Sequence, residues 1–310
     1  HYSSILDFFL IKIKMSNQKD LSIIIPFYNE EKSINEVANK LISTFSESKL
    51  VFIDDGSTDK SLECIKKIKN KNIKILINEF NSGYGYSIKK GLAEVSSKYI
   101  AWFDADGEHD VQDLLSMFYN IEEQKLAMII GKRNFSVNYI RKFGKFIIKL
   151  FIRFMYNKKI SDYNCGLRIF NSKLLNKYKS LLPNGYSASM TSTLIFVYNN
   201  YPFQEYEIKQ NNVRKFGKSN VVINDGFKSI YNAIRVLTLF NPAIFYSKLG
   251  IIIILIGSFY SLYKAFINNI GIPTLGALII ILGILIIFFG LIADQISNLR
   301  LSQIDSDNEK

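Results

Sequence analysis

The chain has 310 residues and carries 39 Lys and Arg against 27 Asp and Glu, a formal net charge of +12. That length gives one large or two small domains ample chain to bury a core. The basic balance comes with no nucleic-acid-binding motif, so the charge points to phosphates and a membrane surface instead. The two cysteines, Cys64 and Cys165, have no metal-ligand spacing and read as free thiols.

Residues 1–20 form an N-terminal extension. "HYSSILDFFLIKIKM" is too short to span a bilayer and lacks a small-residue cleavage site, so it does not read as a signal peptide. Two readings stay open: a start at Met15, or a short amphipathic helix on a membrane surface. From Leu21 onward, short apolar runs alternate with segments of helical spacing. "LSIIIPF", "KLVFID", "NIKILIN", "YIAWFD" and "LAMIIG" read as strands. Between them, "EKSINEVANKLISTF", "DKSLECIKKIK", "YSIKKGLAEV" and "VQDLLSMFYNIEE" read as helices. Such alternation predicts an α/β domain over 21–225 with a mostly parallel, Rossmann-like sheet. In such sheets ligands bind beyond the carboxyl ends of the strands.

The polar motifs fall at those ends. "PFYNEE" follows the first strand. "DDGSTDKS" follows the second, where Thr58 or Asp59 is placed to cap the next helix. "NSGYGYSIKKG" follows the third, its Gly83 and Gly85 suited to close backbone approach to a ligand. The spacing of Gly83, Gly85 and Gly91 is not the G-x-G-x-x-G of a nicotinamide-cofactor fold. "FDADGEHD" follows the fourth strand and crowds Asp104, Asp106, Glu108 and Asp110 together, with His109 among them. Like charges that close repel, and a divalent cation such as Mg²⁺ or Mn²⁺ holding a substrate diphosphate accounts for them.

Further on, "YIRKFGKFIIKLFIRFMYNKK", Tyr139 to Lys159, has apolar residues at helical spacing and a strongly basic complement. Residues 226–242 read as an interfacial amphipathic helix, and 243–295 as two transmembrane helices joined by "INNIGIPT". Lys248 and Lys264 would reach the interfaces by snorkelling. Residues 296–310 form a polar tail. The cations ahead of the hairpin place the large N-terminal region on the cytoplasmic side. Gly276, Gly283 and Gly290, seven residues apart, offer a surface for packing within the hairpin or against another copy.

Together, "IIIPFYNEE", "IDDGSTDKS", "NSGYGYSIKKG", "FDADGEHD", "DYNCGLRIF" and "VRKFGKSN" closely resemble family-2 glycosyltransferases of the GT-A fold. Within that family the chain is similar to the polyprenyl-phosphate sugar transferases, including the dolichyl-phosphate mannose and glucose synthases. The resemblance covers Leu21 to Ala293. It implies a nucleotide-sugar site at Pro26, Tyr28, Glu30, Asp54, Asp55, Gly83 and Gly85. Asp104, Ala105 and Asp106, with Glu108, would hold the metal and the diphosphate. Glu108 departs from the family's usual Gln. Arg133 and Arg214 are implied phosphate contacts, and with Asp104 and Asp106 they are the implied catalytic residues. Arg133, Arg141, Arg214, Lys218 and Ser219 would hold a lipid phosphate, and Asn220 replaces the usual Lys at the end of that loop.

The implied reaction moves one hexose, with inversion, from a UDP- or GDP-sugar to dolichyl or undecaprenyl phosphate. It is metal-dependent and takes place at the cytoplasmic membrane face, as in protein glycosylation. On this reading the helix at Tyr139–Lys159 docks on the membrane. A transferase extending a lipid-linked or polysaccharide glycan, and a catalytically silent membrane scaffold, are the alternatives. A homo-oligomer stays open.

Overall fold

The computed structural model describes residues 15–133, 160–208, 240–268 and 273–309, with Tyr231, Arg235 and Thr238 besides. They fall into two units, a sheet domain and a helical hairpin. The basic segment at Tyr139–Lys159 and the Arg214–Asn220 loop lie outside the described residues, and so does most of 226–242.

The sheet domain holds seven strands: β1 (Leu21–Phe27), β2 (Lys49–Asp54), β3 (Ile73–Ile77), β4 (Tyr99–Trp102), β5 (Met128–Lys132), β6 (Arg168–Asn171) and β7 (Phe203–Glu207). Their order is β3-β2-β1-β4-β6-β5-β7. The first four are parallel, β6 runs antiparallel to both its neighbours, and β7 is parallel to β5. β1 is buried at every residue, as a central parallel strand covered on both faces must be. Pro26 is tolerated there because of the register. The β4 ladder ends at Ile24, whose carbonyl accepts from Phe103, while Phe27 bonds toward β2. Pro26 therefore lacks its N–H on a side where pairing has stopped.

The helices are α1 (Ile34–Thr44), α2 (Ser61–Lys66), α3 (Tyr84–Leu92), α4 (Val111–Glu123), α5 (Ser172–Lys177) and α6 (Ala188–Tyr198). α1 and α4 bury stripes at helical spacing: Ile34, Val37, Ala38 and Leu41 in one, Leu114, Met117, Phe118 and Ile121 in the other. Asp110 caps α4, its side chain accepting from Gln112 N. α6 is buried over nearly its whole length and carries Ser189, Thr191, Ser192 and Thr193 into the interior.

In the second unit, α7 (Pro242–Asn268) and α8 (Thr274–Glu309) are both long and apolar enough to cross a membrane. α8 continues as helix through the expected polar tail to Glu309. The glycines are spent inside the hairpin. A Cβ on Gly283 would lie 2.8 Å from Gly250 O, one on Gly257 would meet Ile279 and Ile280, and one on Gly290 would meet Tyr246. Gly276, Gly283 and Gly290 thus bring the two backbones together.

Candidate active site

The carboxyl ends of β1, β2, β3, β4 and β5 share one edge of the sheet, and antiparallel β6 brings its amino end there too, Arg168 lying opposite both Trp102 and Ile130. Four described loops predicted to carry chemistry therefore meet at this edge, and the segment leading into β6 joins them.

The loops after β1 and β2 are interlocked. Asn29 adopts a left-handed conformation with φ 56°, tolerable for a short polar side chain. Its Oδ1 accepts from Thr58 N at 2.8 Å, and its own N–H donates to Ser57 Oγ at 3.0 Å. Glu30 N donates to Ser61 Oγ at 2.8 Å, and Glu31 N to Asp59 Oδ2 at 3.1 Å. Asp59 Oδ1 also accepts from Ser61 N at 2.9 Å, but the cap position of α2 is Lys60, with no side-chain cap bond, and neither Thr58 nor Asp59 occupies it as expected. Ser33 Oγ donates to Ala105 O at 2.8 Å, tying the first loop to the D-x-D turn. Pro26 belongs to β1, and Tyr28 is exposed beside this network.

Asp54 and Asp55 are both buried, with different partners. Asp54 Oδ1 accepts from Ser57 N at 3.0 Å and shapes its own turn. Asp55 reaches across to the loop after β3. Its Oδ1 accepts from Asn78 Nδ2 at 2.7 Å, Ser82 N at 3.0 Å and Ser87 Oγ at 3.1 Å, and its Oδ2 accepts from Gly83 N at 2.9 Å. The carboxylate expected at a nucleotide is thus the anchor of the Gly83 loop. The glycines differ from expectation as well. The close approach read as room for a ligand is made by the chain itself, since a Cβ on Gly85 would stand 2.0 Å from Pro183 O and one on Gly83 2.6 Å from Asn184 O.

After β4, Asp104 and Asp106 are half-buried. Asp106 Oδ1 accepts from Glu108 N at 3.0 Å across Gly107, whose φ of 76° suits glycine. Asp104 is packed against Gly166, where a Cβ would fall 1.8 Å from its Oδ2. Among the described residues no three His, Cys, Asp or Glu side chains are gathered to hold a metal ion. The expected set of Asp104, Asp106 and Glu108 is therefore not assembled: the turn that Asp106 closes on Glu108 N orders backbone, and the Glu108 charge acts on Arg133. Two carboxylates remain. Such a pair fits a Mg²⁺-type ion, which is commonly held by one or two carboxylates and completed by substrate phosphates and water.

His109 is buried edge-on to Phe103, ring centroids 6.3 Å apart. Burial drives its pKa down to about 4 against the pull of Asp106, so the imidazole is neutral. Arg133 donates from Nε to Asp162 Oδ2 at 2.7 Å and from Nη2 to Oδ1 at 3.2 Å. Burial opposes its charge, but the bonded Asp162 carboxylate outweighs that and holds the guanidinium above its ordinary range. Neither Asp162 nor the fully buried Arg168 stands out by sequence patterning, although both belong to "DYNCGLRIF". Of the other expected phosphate ligands, Arg141, Arg214, Lys218 and Ser219 lie outside the described residues.

A sequence family described as glycosyl transferase family 2 matches residues 22–179, just over half of the chain. The chain belongs to glycosyl transferase family 2. A second family, the GtrB C-terminal hairpin, matches residues 241–299. This family-2 chain is 27% identical over 169 residues to a dodecaprenyl-phosphate galacturonate synthase of Rhizobium johnstonii, covering 52% of this chain and 50% of that one. It is 26% identical over 174 residues to a dolichyl-phosphate β-glucosyltransferase of Dictyostelium discoideum, covering 48% and 53%. An undecaprenyl-phosphate 4-deoxy-4-formamido-L-arabinose transferase of Salmonella typhimurium is 29% identical over 167 residues, covering 51% and 50%. The chain spans about half the length of these curated relatives. Among solved structures, a glucosyl-3-phosphoglycerate synthase of Mycobacterium tuberculosis aligns with a TM-score of 0.57 at 12% identity. It covers 72% of this chain and 82% of that one, a likeness of fold.

Proposed function

We propose that this family-2 chain transfers a single hexose, with inversion, from a UDP- or GDP-sugar to the phosphate of a polyprenyl phosphate at the cytoplasmic face of a membrane. The observation that carries the reading is the Asp104–Asp106 pair at the strand-end edge, in a chain that also holds two helices long and apolar enough to span. The relatives named for dodecaprenyl, dolichyl and undecaprenyl phosphate support the acceptor class. A Mycobacterium tuberculosis neighbour crystallised with Mn²⁺ and UDP-glucose is compatible with a metal and a nucleotide sugar.

Asp104 and Asp106 would hold a divalent ion, which when bound neutralises charge on the leaving diphosphate. The rest falls to the chain's own groups. The interlocked 28–31 and 54–61 loops, with the Asp55-anchored 78–83 loop, would seat the nucleoside. An acceptor phosphate is already ionised at neutral pH, so no strong general base is needed. One of its oxygens would form a bond to the anomeric carbon while the bond from that carbon to the diphosphate oxygen breaks, the electron pair leaving with the nucleoside diphosphate. In-line displacement of this kind inverts the anomeric configuration. The difficulty is bringing two anions together, and Arg133, Arg141 and Arg214, with Lys218 and Ser219, are the groups proposed to orient the acceptor phosphate.

The test is a panel of UDP- and GDP-sugars with a short polyprenyl phosphate, read by the mass of the lipid product. The expected result is one hexose added, dependent on Mg²⁺ or Mn²⁺ and lost in Asp106→Ala. No product with any donor would overturn the reading, and repeated addition to one acceptor would favour a glycan-extending enzyme.

A further inference from the structure

Arg168 is 0% exposed at the start of the four-residue strand β6, a place where a cation is costly. Among the described residues its hydrogen bonds all run to neutral oxygens. Nε donates to Cys165 O at 2.9 Å, and Nη1 donates to Ser189 O at 2.5 Å, Ser192 Oγ at 3.0 Å and Thr193 Oγ1 at 3.1 Å. Nη2 donates to Tyr163 O at 3.4 Å and to Cys165 O. The side chain also lies over the Trp102 ring, 5.6 Å from its centroid. One guanidinium thus fastens two carbonyls of the 163–167 segment to the first turns of α6.

That segment is the wall of Asp104. Gly166 lies against the Asp104 carboxylate so closely that a Cβ would stand 1.8 Å from Oδ2 and 2.9 Å from Oδ1. Burial works against the Arg168 charge, and the carboxylates of Asp162 and Asp104, both within electrostatic reach, work in its favour. A buried cation bonded only to neutral groups is best repaid by nearby anions, and the chain places its D-x-D carboxylate there.

We propose that Arg168 is a positioning residue for Asp104, its guanidinium locking the Tyr163–Leu167 segment around the carboxylate and serving as the internal counter-charge. This rests on the reading of Asp104 and Asp106 as the seat of a divalent ion. Arg168 touches no reacting atom. It fixes the direction and charge of Asp104 before the ion arrives.

The test uses the full-length protein in detergent and follows binding of Mn²⁺, in the presence of UDP or GDP, by the paramagnetic resonance signal of free Mn²⁺. R168Q removes the charge, R168K keeps it with fewer donors, and G166A pushes on Asp104 with Arg168 intact. Expected is a tenfold or greater loss of Mn²⁺ affinity in R168Q and G166A and a smaller loss in R168K. The KM for polyprenyl phosphate should change less than twofold in all three. Wild-type Mn²⁺ affinity in folded R168Q and G166A would overturn the proposal. Should R168Q fail to fold, wild-type affinity in both G166A and R168K would do the same. Absence of Mn²⁺ binding by the wild-type protein with either nucleotide would instead overturn the metal reading beneath it, and so the two failures are distinguishable.

Discussion

Arg133 and Asp162 are joined by two parallel hydrogen bonds, 2.7 and 3.2 Å long, that close the end of β5 onto the segment leading into β6. The two ends of the pair are not equally placed. Asp162 keeps 6% of its side chain exposed and Arg133 keeps 25%. Removing the cation therefore takes two charge-assisted bonds from a nearly buried anion, which keeps the longer bond from Asn164 N, whereas removing the anion leaves a guanidinium that can still reach water. Arg133→Met is expected to cost about 3 kcal/mol and Asp162→Asn about half of that. Arg133→Lys, which keeps the charge but loses the second prong, should fall between wild type and Arg133→Met. Thermal unfolding in detergent checks the order, and a larger cost for Asp162→Asn than for Arg133→Met would contradict it.

Asp55 offers a sharper distinction between holding a ligand and holding the loop that meets it. Four donors converge on its two oxygens. Asp55→Asn puts an NH₂ group where an N–H or O–H already points, leaving buried donors facing a donor. The expected cost is about 2–3 kcal/mol, with the KM for the nucleotide sugar raised tenfold or more as the Gly83 loop loosens. Because the D-x-D turn is not among its partners, the metal concentration giving half-maximal rate should stay within twofold of wild type. Kinetics at varied donor and varied metal separate the two constants, and a metal constant that moves with the donor KM would refute this division of labour.

Much of this architecture is legible in the sequence, for a physical reason that also marks where legibility ends. β1 coincides with "LSIIIPF" because a strand buried on both faces must be apolar throughout. α4 coincides with "VQDLLSMFYNIEE" because one face is buried and Asp110 announces its start. β6 is only four residues long and begins with a buried arginine, so no run of apolar residues signals it. α6 is buried all round and laced with hydroxyls, which erases the helical period. In the site, Asp104 and Asp106 stand out as crowded local charge. The Arg133–Asp162 pair does not, because its partners are 29 residues apart and only the antiparallel insertion of β6 brings them together. Gly85 was legible as a close approach, but the sequence does not say that the approaching atom is Pro183 O.

His109 gives the fold a pH dependence whose sign follows from its burial. Its pKa is depressed to about 4 in the folded chain, against 6.5 for an exposed imidazole. Between those values the unfolded chain binds the proton and the folded chain does not. The stabilising contribution is therefore complete above about pH 6.5 and is lost as pH falls toward 4. The full difference is on the order of 3 kcal/mol. Denaturant unfolding in detergent with a chelator present, at pH 7 and at pH 5, should show the wild type losing stability on acidification. His109→Gln should lose less over the same interval. Equal losses would show that carboxylates elsewhere carry the effect.

In the hairpin the decisive quantity is the distance between two backbones. A Cβ at Gly283 would come 2.6 Å from Ile254 Cγ1 and 2.8 Å from Gly250 O, and the second of these is backbone and cannot swing aside. Gly283→Val therefore has to push α7 and α8 apart along their line of closest approach, and neighbouring contacts such as Gly257 against Ile279 open with it. The side chain of Leu282, one residue earlier, is exposed in the hairpin unit. Leu282→Val, a change of similar chemistry, should be nearly neutral. Expected for Gly283→Val is a loss of about 2 kcal/mol in the stability of the hairpin. Spin labels attached at the exposed positions of Ile256 and Leu278, one on each helix, report the separation of α7 and α8 without touching the glycine line. That separation should lengthen when Gly283→Val is added and stay unchanged with Leu282→Val. An unchanged separation with Gly283→Val would mean that the glycine line does not set the spacing of the two helices.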